Sequence, residues 1–136
     1  MKLNEVKEWY QIAGEDFYTA QIMNNQVRKP IEIICYHCAQ SIEKYLKGYL
    51  VYRETIPPKT HDLTLLLDLC VEFDNFFDAV RMECSVINRY SNEIRYPYRI
   101  EINQTDVDYS IKAVERVMKL EPIKKVLNKI NDEGAV

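Results

Sequence analysis

Apolar positions recur at three- and four-residue steps along most of the chain, the spacing of helices that each bury one face. The first run, Trp9, Ala13, Phe17, Ala20 and Met23, predicts a helix capped by Asn4 and ended by Asn24 and Asn25. The second predicts a long helix with Pro30 in its first turn and an end before Pro57-Pro58. A rotation of about 100° per residue sets Ile31, Cys35, Cys38, Ile42, Tyr45 and Tyr49 on one inward stripe of that helix. The same rotation gathers His37, Gln40, Lys44 and Lys47 on the opposite side, which is expected to face away from the core. Gly48 inside a helix costs about 1 kcal/mol relative to Ala, and the expected reason is close approach of another backbone.

Thr60 or Asp62 is placed to cap a short third helix with Leu63, Leu66, Leu67 and Cys70 inward. Asp74 is placed to cap a fourth, with Phe77, Val80, Cys84, Ile87 and Tyr90 or Ser91 inward and Pro97 beyond its end. Residues Tyr98 to Ile102 are too short and isolated for a sheet and read as an extended loop. Thr105 with Asp108 starts a fifth helix through Val107, Ile111, Val114 and Met118, and Pro122 opens a short last one with Ile123, Leu127 and Ile130. Short connections between amphipathic helices predict antiparallel neighbours. The expected fold is all-α: an up-down four-helix bundle with one or two additional short helices. It forms one domain over 1–136 with a frayed tail after about 131.

Composition agrees with a folded helical domain. The chain has 136 residues, 47% of them hydrophobic, and only three glycines. A net charge of -3 argues against attraction of nucleic acid by the whole molecule. No apolar run is long enough to cross a bilayer, and the N-terminus does not read as a signal peptide. A cytoplasmic protein with four reduced cysteines is the expectation.

Candidate chemistry is sparse. His37, Gln40, Lys44 and Lys47 could line an anion such as a phosphate; they also fit a solvated face with Glu43 and Lys47 as an i, i+4 pair. His61 could contact a ligand; the favoured reading is that it bonds locally and closes the turn before Asp62. Arg89, Arg95 and Arg99 with Tyr90, Tyr96 and Tyr98 suit phosphate contact and base stacking. They suit a dimer interface equally well, and both readings stand. A metal is not expected: Cys35 and Cys38 point inward and His37 outward, and Cys70 and Cys84 lie on separate helices. The sequence has no nucleophile elbow or paired-carboxylate site, and three glycines leave no room for a phosphate-binding P-loop. No cofactor is expected.

Three stretches taken together, His37-Cys38-Ala39-Gln40-Ser41-Ile42-Glu43-Lys44 with Lys47, then Pro58-Lys59-Thr60-His61-Asp62-Leu63, then Arg95-Tyr96-Pro97, resemble the HEPN domain family. The resemblance runs from the first helix to the fifth. It implies a helical bundle that pairs into homodimers and associates with nucleotides or RNA. It also implies work beside a minimal nucleotidyltransferase in toxin–antitoxin-like pairs. On that reading His37, Gln40, Lys44, Lys47, Arg95 and Tyr96 are the nucleotide-binding candidates. Some members of the family are metal-independent ribonucleases that use an Arg followed, after four to six residues, by a His. Here the positions after Arg89 hold Ile94, Arg95 and Tyr96, and those after Arg95 hold Ile100, Glu101 and Ile102. Arg stays protonated and cannot move a proton near neutral pH, so cleavage is not carried over. An altered Arg-based ribonuclease using Arg89 and Arg95, and a scaffold without ligand, are the alternatives.

Overall fold

The computed structural model describes residues 3–93 and 101–134. They form α1 (Leu3–Asn24), α2 (Ile31–Tyr52), α3 (Leu63–Val71), a 3-10 turn (Asn75–Val80), α4 (Arg81–Glu93), α5 (Gln104–Met118) and α6 (Glu121–Gly134). The fold is all-α, an up-down helical bundle with short additional helices, as the apolar spacing predicts. No described helix is long and apolar enough to cross a membrane.

The bundle is arranged around α2, which packs on α1, α3, α4, α5 and α6. Its most extensive partner is α1. Contacts between the two run in opposite senses: Asp16 meets His37, Ala13 meets Ser41, and Tyr10 meets Tyr45. That order makes them an antiparallel pair. Tyr45 and Tyr10 stack edge to face at 5.2 Å between centroids. On the far side Tyr49 meets Phe77 of the 3-10 turn at 4.6 Å, and the Cys70 thiol of α3 reaches the Leu46 carbonyl. The predicted inward stripe is buried, with Ile31 partly covered at its start.

Several local expectations are corrected. Asn4 lies within the first helix, which runs over Leu3–Asn24 among the described residues, and so does not cap it. Gly48 makes room for a side chain rather than a backbone: a Cβ there would sit 2.6 Å from Cδ1 of the Tyr10 ring and 2.9 Å from Cβ of Trp9. Asp74 caps the 3-10 turn, and α4 follows it as a separate α-helix. The fifth helix is capped by Asn103, whose side chain accepts from the backbone of Thr105 and Asp106. The Asp106 carboxylate in turn accepts from the Asn103 N–H, a capping box that outcompetes a start at Thr105. The last helix has 14 residues and is not short.

Asp62, not Thr60, caps α3. Its Oδ1 accepts from the N–H groups of Thr64 and Leu65 and from the Thr64 hydroxyl. Asn88 of α4 joins the cap from outside: its amide donates to Asp62 Oδ1, and its oxygen accepts from the Leu63 N–H at 2.9 Å. This fixes the start of α3 and, with it, the connection that carries His61.

Candidate functional site

The expectation that His37, Gln40, Lys44 and Lys47 face away from the core is overturned for two of the four. Gln40 and Lys47 are each 8% exposed. The physical reason is that α2 is enclosed by neighbours on several sides, so its polar stripe becomes the floor between α1 and the connection leading to α3. Apolar stems let Lys47 lie under cover while its ammonium finds a partner.

That partner is Glu43, whose side chain is only 2% exposed. One of its oxygens, Oε2, is 3.1 Å from Lys47 Nζ and 3.7 Å from Lys44 Nζ. The other, Oε1, is 2.9 Å from His61 Nδ1. An ionised carboxylate can only accept, so Nδ1 of His61 is the donor in this contact. His61 therefore does not close its turn by a local bond, as expected from sequence. It reaches back to α2. Lys47 also lies near the ring of Trp9 on α1, at 6.0 Å from its centroid.

The second half of the strip is built the same way. His37 Nδ1 is 3.0 Å from Asp16 Oδ1 on α1, with both side chains partly covered. Between the two imidazoles, Lys44 Nζ donates to Gln40 Oε1 at 2.7 Å. Gln40 Nε2 is buried and has no hydrogen-bond partner among the described residues. Both histidines thus stand against carboxylates, and Lys44 is the ammonium with the greater access to solvent, its side chain 18% exposed against 10% for Lys47.

The structure brings His37, Gln40, Lys44 and Lys47 together on one strip. Arg95 and Tyr96, with Tyr98 and Arg99, lie outside the described residues. Arg89 is exposed on α4. Its neighbour Tyr90 is not a ligand contact: the ring is buried, and the hydroxyl donates to Asp106 Oδ1 at 2.7 Å. Sequence reasoning missed Asp16 and misjudged His61. The i, i+4 spacing did signal Glu43 with Lys47, but nothing local signals pairs 21 or 18 residues apart.

The thiols belong to the core. Burial pushes Cys35 up to about 11 and Cys38 to about 12. It raises Cys70 further still and takes Cys84 to about 12. They are protonated small hydrophobes rather than nucleophiles or ligands. Among the described residues no group of three or more His, Cys, Asp or Glu is placed to hold a metal ion.

A sequence profile of the HEPN domain matches residues 6–126, which takes in α1 to α5, the whole strip and most of the core. The chain belongs to the HEPN family. Among solved structures, TT1696 from Thermus thermophilus superposes with a TM-score of 0.78 at 17% identity, covering 90% of this chain and 98% of that one. At that identity the likeness speaks for the HEPN fold and no further. No curated protein matches the chain by sequence.

Proposed function

We infer that this HEPN chain is a homodimeric, non-catalytic module that binds a nucleotide or RNA phosphate on the α2 strip and acts with a minimal nucleotidyltransferase in a toxin–antitoxin-like system. The observation that carries the ligand is the charge balance around Glu43. Two ammonium groups, Lys44 and Lys47, share one buried carboxylate, so the surroundings of Glu43 keep one positive charge in excess, while Asp16 lies at the other end of the strip beside His37. Lys44, the more exposed of the two, brings that excess to the surface. A partly covered ammonium whose charge is not fully offset attracts anions more strongly than a freely solvated lysine does.

Two further features support the assembly. Leu65, Phe73, Phe76 and Met82 leave large apolar area exposed along α3, the 3-10 turn and the start of α4, as an interface does. Membership of the HEPN family favours pairing with a nucleotidyltransferase.

Calorimetric titration with ATP, GTP and a short RNA in low salt tests the ligand. Binding at millimolar concentration or tighter is expected, weakened about tenfold in Lys44→Ala. No heat from any of the three at that concentration removes the reading. Sedimentation of the free protein tests the dimer, and co-purification with a co-expressed minimal nucleotidyltransferase tests the partnership.

A further inference from the structure

One buried polar atom of the strip is left unanswered by the protein. Gln40 is 8% exposed, and its Nε2 meets no acceptor among the described residues. Turning the amide round does not cure this. Its oxygen already accepts from Lys44 Nζ at 2.7 Å, and a flipped amide would set donor against donor. The ammonium therefore dictates the orientation, and the orientation strands Nε2. A buried donor without an acceptor is destabilising, so an acceptor arriving from outside is favoured.

The neighbouring charge shows what kind of acceptor fits. Lys47 is the ammonium closer to Glu43, at 3.1 Å, while Lys44 stands off at 3.7 Å and is the more exposed. Lys44 thus carries most of the unneutralised charge. Its ammonium has three protons, enough to keep Gln40 Oε1 and hold an anion as well. Gln40 and Lys44 are four residues apart on one helix, with Cβ atoms about 5–6 Å from each other. Donors confined to one turn match one tetrahedral group and are too short a run to follow a polymer backbone.

We propose that Gln40 Nε2 and Lys44 Nζ form a site for the terminal phosphate of a phosphomonoester, and that Lys47 serves Glu43 rather than the ligand. The proposal rests on the reading of the strip as a phosphate site and narrows it to one group and two donors. Binding swings the Gln40 side chain outward beside Lys44, so that Nε2, which meets no acceptor among the described residues, gains a phosphate oxygen. Lys44 keeps its contact with Gln40 Oε1 throughout. Asp16 on α1, His37, Glu43 and Lys47 on α2, and His61 on the connection to α3 are the other charged and titratable groups around the site among the described residues.

The test is a titration of the full chain followed by the side-chain amide resonance of Gln40. Inorganic phosphate, AMP and an RNA oligonucleotide with a 5′-phosphate are expected to shift that resonance. Adenosine, acetate and the same oligonucleotide with a 5′-hydroxyl are expected to leave it in place. Gln40→Leu and Lys44→Met are each expected to weaken phosphate and AMP about tenfold, while the double variant Glu43→Leu with Lys47→Met, which removes the pair together and leaves Lys44 its charge, stays within about twofold. Circular dichroism checks that each variant is folded; should the double variant unfold, the Gln40→Leu comparison decides alone. Nucleotide or RNA binding that persists at parental affinity in Gln40→Leu overturns this inference and leaves the broader phosphate reading standing. An equal response to acetate and phosphate also overturns it. Absence of any response to phosphate, AMP and both oligonucleotides overturns the two together.

Discussion

Lys47 donates to Glu43 across one turn of α2, Nζ to Oε2 at 3.1 Å, with the two side chains only 10% and 2% exposed. A pair this well covered gains less than its distance suggests, because both charges have left water. Its value lies in what happens when one member is lost. Glu43 also anchors His61 and faces Lys44, so it is the pivot of the strip.

Glu43→Ala should therefore destabilise the fold by about 3–5 kcal/mol, since it strands a buried ammonium and releases His61. Urea unfolding measures this. The double variant Glu43→Leu with Lys47→Met should recover much of the loss, because no unpaired charge then remains under cover. A double variant as unstable as Glu43→Ala would show that packing, not charge, accounts for the cost.

Gly48→Ala should be destabilising even though Ala favours helix by about 1 kcal/mol. The new methyl would crowd the Tyr10 ring and the Cβ of Trp9, and overpacking of this kind costs about 1–3 kcal/mol. The midpoint of thermal unfolding should fall. Adding Tyr10→Ala should lower the cost of the Gly48→Ala step without abolishing it, since the ring is then gone while the Cβ of Trp9 still lies 2.9 Å from the new methyl.

The α3 cap makes stability depend on pH in a defined window. The Asp62 carboxyl lies below its ordinary value of 3.8, held there first by the Thr64 hydroxyl and then by backbone N–H groups and Asn88. A lowered folded value means its contribution is complete above about 3.8 and is lost as pH falls through the folded value. Asp62→Ala should cost about 1–2 kcal/mol at neutral pH. Its difference from the parent should stay constant down to about pH 5 and shrink in more acid solution. A gap that widens as pH falls would reverse the sign of this argument.

The four cysteines should be silent in the native protein. All are buried and free, with thiols pushed well above neutrality by burial. A thiol-reactive dye at pH 8 should label none within minutes and all four once the chain is unfolded in denaturant. Rapid labelling of the folded protein would mean that a core helix opens readily.

Much of the architecture was written in local pattern. Residues such as Cys35, Cys38, Ile42, Tyr45 and Tyr49 repeat at helical spacing, and burial of that stripe follows from the periodicity alone. Asp62 and Asp74 mark boundaries because their side chains compete for nearby backbone groups, an interaction spanning a few residues. The family, too, was legible, since its residues occur in order along the chain. The face opposite the stripe was not. Whether Gln40 and Lys47 meet water depends on how many helices crowd α2, and a single helix's periodicity carries no such count. Asp16 with His37 and His61 with Glu43 are long-range pairs. They exist only because an antiparallel α1 and a pinned α3 cap deliver those groups to the same helix, where a buried carboxylate must find protons or go unpaid.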